Sequence, residues 1–478
     1  MKSYHIFIFI ISTLFTLSLL SLIFPKDGLQ VNDLTLRFPS LEEMILERDT
    51  VKEVDEIMAL PVSIDTVKIN ELADSLKFYK EVISTNPGRF HLPDHDFTYF
   101  DSLFEDMENA QSTEKVIRIL HYGDSQIEMD RISRNLRKFL QGKFGGEGVG
   151  LLPLFQIIHS SSIQQRTTGE ATGYSVYDSR AKGKDKRYGI LGKYYQMSGN
   201  VQFSASAVKS EKTTTNLRQF SKITLLFHDV KGGFNATLTD ETNQITIKQS
   251  NDSIGLSHFV WQLDTPTTKI KLSLSGAANI YGVMLDGNSG ISVDNIPVRG
   301  SSGTFFTQID DASLAAMYTM SDVGLIILQF GGNSMPVINT EKGVAGFKER
   351  VGKQISYIRN LYPQAKILYI GPSDMSTRVN GVLRTYTYLP NVNQALQEAA
   401  LENGAAYWDM YHTMGGENSM IHWVNNGFAG KDYIHFTPAG ADKIGEALSN
   451  TFSIMFDFYS MRKTTPDIEF EQAWQKLF

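Results

Sequence analysis

Apolar positions along this chain fall into three regimes. The first is the run Ile6 to Phe24, 19 residues without a charge. It approaches the roughly 20 that a helical membrane span needs. It exceeds the usual signal-peptide core, and no Ala-x-Ala site follows it. The pattern therefore predicts an uncleaved transmembrane helix within residues 1–28, with Lys2 on the cytoplasmic side and the remainder exported.

The second regime is helical and β-strand alternation. "VIRILHYG" from Val116 predicts a buried strand, and "SQIEMDRISRNLRKFL" an amphipathic helix with Ile127, Ile132, Leu136 and Leu140 on one side. After residue 286 come the helix "DASLAAMYTM", the strand "VGLIILQF", the helix "VAGFKERVGKQISYIRNLYP" and the strand "AKILYIG". The helix "NVNQALQEAALENG", the short strand "AAYWDMY" and the helix "AGADKIGEALSNTFSIMF" complete the series. Continuous apolar strands separated by helices are the pattern of a parallel sheet covered on both faces.

The third regime lies between them. Residues 145–285 are rich in Ser, Thr and Gly, and pieces such as "SKITLLFHD", "HFVWQL" and "TKIKLSLSG" read as strands. This predicts an antiparallel β-sandwich inserted in the α/β unit, whose first strand and helix precede it. The expected organisation is a membrane segment 1–28, a helical and irregular stem 29–110, and an α/β domain in two parts, 111–144 and 286–455. The β-rich insert 145–285 and a tail 456–478 complete it, and residues 1–28 would alternatively be a signal segment. In the stem, "SLEEMILERDTVKEVDEI" and "INELADSLKFYKEVI" have helical periodicity.

Composition narrows the function by exclusion. A formal net charge of -7 and a 20% charged fraction do not suit a nucleic-acid binder. With no cysteine, disulfides, thiolate metal sites, a cysteine nucleophile and lipid attachment through cysteine are all excluded. His91, Asp94, His95 and Asp96 carry metal-capable side chains, but their Pro- and Gly-punctuated setting reads as a polar loop.

The candidate chemistry begins at "GDS", residues 123–125. Ser125 would stand where the first strand ends and a helix starts, the edge at which open α/β sheets bind ligands. Asp124 or Ser125 would equally serve as a helix N-cap. Near the C-terminus, "DYIH" places Asp432 three residues before His435, a spacing that lets a carboxylate fold back on Nδ1 and leave Nε2 facing a hydroxyl. Gly300 in "RGSSG" and Asn333 in "GGN" would supply, with the Ser125 N–H, donors for an oxyanion. Each of these is also an ordinary turn feature. Asp374 and Asp409 lie beside other strand ends and would support the site. His121 reads as a structural strand-end residue.

Taken in order, "GDS" (123–125), "RGSSG" (299–303), "GGN" (331–333) and "DYIH" (432–435) resemble the SGNH, or GDSL-type, hydrolase family. The resemblance implies a three-layer α/β fold with a parallel sheet, interrupted here by the β-sandwich and preceded by the transmembrane helix. It implies Ser125 as nucleophile, His435 as general base and Asp432 as its orienting partner. The Ser125 and Gly300 amides and the Asn333 side chain become the oxyanion donors. No cofactor and no metal are implied. Two positions depart from the family pattern: Gln126 replaces the leucine of the GDSL form, and Ser334 stands where many members carry Asp.

Within the family, "LDGNSGISVDNIPVRGSSG" and "YHTMGGENSMIHWVNNGFAGKDYIHFTPAGA" resemble the periplasmic peptidoglycan O-acetylesterases, which carry a carbohydrate-binding-like insert. By that resemblance Met414, Gly415, Gly416 and Trp423 shape the rim of the active site. The expected function is a serine esterase removing O-acetyl groups from an envelope glycan. An O-acetyltransferase using the same triad, or a non-catalytic glycan-binding assembly protein, are the alternatives. The expected partners are the acetylated polysaccharide and, through the N-terminal segment, a membrane. The expected location is the cell envelope, anchored in the inner membrane with the catalytic domain in the periplasm, or exported.

Overall fold

A computed structural model of the chain describes residues 3–23, 29–31, 34–36, 52–60, 72–209 and 218–466, with Phe470 and Trp474. It divides into two units, residues 1–56 and 57–478.

In the first unit Ser3–Ile23 is helical. No helix among the described residues is long and apolar enough to cross a membrane. The described apolar positions of Ser3–Ile23 are interrupted by Ser12, Thr13, Thr16 and Ser18. The Thr13 and Thr16 hydroxyls bond back to the Phe9 and Ser12 carbonyls at 2.8 Å. This corrects the expected transmembrane helix, and with it the membrane as a partner and the inner-membrane-anchored location. Of the first helical stretch expected in the stem, Val54–Ile57 is helical and residues 40–51 lie outside the described residues. The second forms the helix Leu72–Thr85.

The second unit is built on a six-stranded sheet. Its strands are β1 (Phe90–His91), β2 (Val116–Gly123), β3 (Gly290–Pro297), β4 (Val323–Gln329), β5 (Lys366–Ile370) and β6 (Ala406–Trp408). The order is β3-β2-β4-β5-β6-β1, and every pairing is parallel except β6 with β1. The helices that cover it are α1 (Ser133–Phe144), α2 (Asp311–Met320), α3 (Glu341–Leu361), α4 (Leu389–Glu402) and α5 (Pro438–Thr464).

Period-two alternation explains the layers. Leu120, Tyr122, Ile326, Leu328, Ile367 and Tyr369 share one core cluster with Val344 and Phe347 of α3 and Val392 and Leu396 of α4. The intervening Ile119, Leu325, Ile327 and Leu368 point the other way and are equally buried. Both faces are therefore covered, and α1 packs with α5. The last helix runs on through Thr464, past the residue 456 at which a tail was expected to begin.

Between α1 and β3 the chain forms a seven-stranded antiparallel sheet with its own core, in which Phe203, Phe227, Phe234, Trp261, Leu272 and Ile280 are buried. Its longest members are Phe220–Asp240 and Lys269–Asp286. Their mutual register shifts three times between residues 276 and 282, and bulges of this kind let so long a ribbon bend.

The chain leaves and re-enters the α/β unit at one place. Ile291 N–H donates to the Gly145 carbonyl at 2.9 Å, and a Cβ on Gly290 would lie 2.4 Å from backbone atoms of Gly145 and Gly146. Beside this junction Arg118 of β2 is fully buried. It pairs with Asp286 at 2.6 Å and with Asp294 at 2.7 Å, which ties the end of the second sheet to the first.

Candidate active site

Every candidate catalytic residue lies at the carboxyl edge of the parallel sheet. β2 ends at Gly123, and Asp124 caps the short turn Ser125–Asp130 by accepting from the Gln126 N–H at 2.9 Å. Within that turn Met129 and Asp130 have positive φ, 61° and 62°. Such conformations persist only where surroundings enforce them. Here Glu128 is gripped at both carboxylate oxygens by Arg299, at 2.7 and 2.6 Å, and Asp130 by the buried Arg137, at 2.6 and 3.1 Å. The ordinary N-cap and the nucleophile turn are thus not rival readings. Asp124 does the capping, and Ser125 is left half-buried with its hydroxyl free to face a base.

That partner is His435. Ser125 Oγ lies 2.8 Å from His435 Nε2, and His435 Nδ1 lies 2.7 Å from Asp432 Oδ2. The fold-back depends on Tyr433, whose φ of 58° turns the loop so that Asp432 Oδ1 also accepts the backbone N–H groups of Ile434 and His435. Partial burial pushes the Asp432 carboxyl up. The hydrogen bonds from the His435 side chain and from the two backbone amides outweigh it and hold it below the usual carboxylate range. The carboxylate is therefore ionised wherever the imidazole can act as a base.

The other two loops close around this pair. Val298 N–H donates to the Gly123 carbonyl at 2.7 Å, which sets the "RGSSG" loop beside the serine. Gly300 sits in it with a φ of 73°, exposed, with nothing within 4 Å of where a Cβ would be. Asn333 follows β4, and its Nδ2 donates to Asp124 Oδ2 at 3.0 Å and to the Ser301 carbonyl at 3.1 Å. Burial pushes the Asp124 carboxyl up to about 6. Ser334, where the family pattern has Asp, bonds through Oγ to Ser302 Oγ at 2.9 Å, so a hydroxyl pair joins the two loops.

Ser125, Asn333 and His435 border a depression of about 150 Å³ with Phe330, Pro336, Met375 and Met410 among its walls. That is well below the roughly 300–1,000 Å³ of an ordinary small-molecule pocket. The space suits a short acyl group on an apolar floor.

Two side chains that were given no role in the site from the sequence hold the histidine loop. Gln126 Nε2 donates to the Ile434 carbonyl at 2.6 Å, and its Oε1 accepts the Phe436 N–H at 3.3 Å. The residue that looked like a mild departure from the family pattern therefore bonds both neighbours of His435. Arg131 donates to the Ser125 carbonyl at 2.5 Å and to the Phe436 carbonyl at 2.8 Å, linking the serine and histidine segments directly. The signal for Gln126 was its polarity at an apolar family position. For Arg131 there was none, because the contact that joins the two segments is to a backbone carbonyl 305 residues away in sequence, that of Phe436.

The remaining candidates stand outside. Met414 and Trp423 are fully buried, Trp423 Nε1 donates to the Met414 carbonyl at 2.9 Å, and its ring packs on Phe428 and Phe436. None of Met414, Gly415, Gly416 and Trp423, the residues expected at the rim, borders the depression, and Met414 and Trp423 pack inside a neighbouring loop. Asp374 anchors that loop: it accepts from Thr385 Oγ1 and the Met420 N–H at 2.8 Å each, and burial pushes its carboxyl up to about 6. Asp409 caps a neighbouring helical turn and binds His412 Nδ1 at 2.6 Å. His121 is buried between Ser133 and Gln329, and burial pushes it down to about 4, so it stays neutral.

Among the described residues, His91, Asp94, His95 and Asp96 do not converge as ligands. Asp185, His228 and Asp229 do, but Arg187 already pairs with both carboxylates.

A model of the GDSL-like lipase/acylhydrolase family matches residues 274–443. No curated protein sequence matches the chain. Among solved structures, a peptidoglycan O-acetylesterase superposes with a TM-score of 0.59 at 20% identity, covering 75% of this chain and 96% of that one. Family two carbohydrate esterases from Clostridium thermocellum and Cellvibrio japonicus also match. Their TM-scores are 0.25 and 0.24 at 12% and 10% identity, covering 59% and 62% of this chain and 97% and 99% of theirs. The first likeness establishes the fold: a GDSL/SGNH-like hydrolase architecture with a second, antiparallel sheet, as the sequence motifs implied.

Proposed function

We propose that this chain is a serine carbohydrate esterase that removes O-acetyl groups from a cell-envelope glycan, with peptidoglycan the first substrate to test. The observation that carries the reading is the continuous relay Ser125 Oγ, His435 Nε2, His435 Nδ1, Asp432 Oδ2, with contacts of 2.8 and 2.7 Å, at the ligand-binding edge of the sheet. The likeness to the solved peptidoglycan O-acetylesterase supplies the substrate class.

In this reading Ser125 attacks the acetyl carbonyl as His435 takes its proton, and Asp432 stabilises the imidazolium. The developing oxyanion is met by the N–H groups of Ser125 and Gly300 and by Asn333, once its Nδ2 exchanges the Ser301 carbonyl for the substrate oxygen. His435 then protonates the departing sugar hydroxyl. Water, activated by the same imidazole, attacks the acetyl-enzyme and releases acetate. The small depression beside Ser125 fits acetyl better than a long acyl chain. The same reading takes residues 145–285 as a module inserted between the two parts of the hydrolase domain.

The test is acetate release from O-acetylated peptidoglycan by wild type and by Ser125→Ala. Loss of the nucleophile should reduce the rate by at least about 10³-fold. Undiminished release from the variant would sink the assignment.

A further inference from the structure

A second and larger cavity, about 570 Å³, lies on the other side of the nucleophile turn. Its walls come from Glu128–Asp130, from the end of β3 and from the antiparallel sheet, and it shares no residue with the depression at Ser125. Its volume falls in the range that holds a disaccharide-sized ligand.

The charges on its walls are nearly all satisfied. Glu128 pairs with Arg299, Asp130 with Arg137 and Asp178 with Arg180. Lys193 is the exception: no carboxylate pairs with its ammonium among the described residues. A cation lining a largely apolar cavity without a counter-ion pays a desolvation cost that an incoming anion would relieve. Burial pushes the Lys193 amine down to about 8, with no neighbouring charge opposing it.

The rest of the wall indicates what carries the anion. Tyr174, Tyr177 and Tyr195 line the cavity, and the Tyr177 and Tyr195 hydroxyls are tied back to the Leu191 and Phe155 carbonyls, which leaves ring surface as wall. Aromatic faces of this kind pack on the C–H faces of sugars. Gln156 and Ser160 add hydrogen-bonding groups that an alkyl chain would leave dry. A single ammonium balances a single negative charge.

From these features we infer that the cavity between the nucleophile turn and the antiparallel sheet is a binding site for a carboxylate-bearing sugar, with Lys193 as the carboxylate's partner. The site is one of recognition, and it stands whether or not Ser125 acts as a nucleophile. The carboxylate could belong to a lactyl ether or to a uronic acid, and the experiment separates the two.

Binding to the full chain is measured calorimetrically near pH 6.5 with three disaccharides: one containing N-acetylmuramic acid, one containing glucuronic acid, and the neutral disaccharide of N-acetylglucosamine. At least one acidic sugar should bind about tenfold or more tightly than the neutral one, as expected for a charge-assisted hydrogen bond. The acid that does so identifies the source. Lys193→Met should erase that preference, Lys193→Arg should retain it, and hydrolysis of a small neutral acetate ester should be unchanged in both.

In wild type the preference should fade as the pH rises past about 8 and the amine loses its proton. That measurement needs no variant and stands even if one misfolds. Equal affinity for acidic and neutral sugars, no binding of either acid, or a preference that survives Lys193→Met would each overturn the inference.

Discussion

Gln126→Met is the sharpest test of how the histidine is held. Methionine nearly preserves the length and volume of glutamine but can neither donate to the Ile434 carbonyl nor accept the Phe436 N–H, contacts of 2.6 and 3.3 Å in the structure. Gln126 is 7% exposed and Phe436 is 2% exposed, so water cannot replace both bonds without opening the loop. Each lost bond costs about 1 kcal/mol net, and more, about 1–3 kcal/mol, where a buried partner is left unsatisfied. Together they should weaken the anchoring of the His435 segment by about 2–4 kcal/mol.

The Arg131 bridge to Ser125 and Phe436 remains in this variant, so the loop should shift rather than unravel. A displaced imidazole cannot hold its contact with Ser125, and every 1.4 kcal/mol of misplacement is tenfold in the competent population. The expected result with a small acetyl ester is a kcat lower by about 30- to 700-fold with KM within about twofold. The loss should thus appear in the chemical step and not in ester binding. A kcat within twofold of wild type beside a lowered Tm would show that Gln126 is merely structural, and the positioning argument would be refuted.

Three further outcomes follow from the same geometry. Arg118→Met leaves Asp286 and Asp294 buried without their cation, and should cost about 3–5 kcal/mol in denaturant unfolding; an unchanged midpoint would mean the network contributes nothing. Trp423→Ala removes a fully buried indole and should cost about 3–5 kcal/mol, read as a fall in Tm. Asp124 is raised from 3.8 to about 6, so its contribution to stability is complete below the lower value and is lost as pH rises through the upper one, about 3 kcal/mol at most. His121, lowered to about 4, acts in the opposite direction, gaining stability as pH rises over much of the same window. The Asp124 effect is therefore read as the difference between wild type and Asp124→Asn across pH 3 to 7, and parallel stability curves would contradict it.

Much of the α/β architecture was legible because it is written in local pattern. The buried strands at 116, 323 and 366 are continuous apolar runs, and the helices between them carry 3.6-residue periodicity, so order and layering follow from connection rules. The antiparallel character of the second region was legible in its composition, but its organisation as one long seven-stranded sheet was not. Strand length and pairing there depend on bulges and partners remote in sequence. The N-terminal segment shows the opposite failure. Apolar composition alone suggested a membrane span, which the described helices do not provide.

The site divides in the same way. Ser125, Asp432, His435, Gly300 and Asn333 could be named from short motifs, because a hydroxyl after a strand, a carboxylate three residues before an imidazole, and exposed turn glycines are local arrangements. Their convergence could not be read there, since Ser125 and His435 are 310 residues apart and meet because α5, which follows the histidine loop, packs with α1, which follows the serine turn. Burial was the other unknown. It enclosed Met414 and Trp423, pushed Asp124 up, and left Lys193 without a carboxylate partner among the described residues, in a cavity that neither sheet forms alone. Residue order fixes which chemical groups are present and what each local turn can do with them. The tertiary structure alone decided which groups face one another and which are cut off from water, because contact and dielectric environment belong to packing and not to residue type.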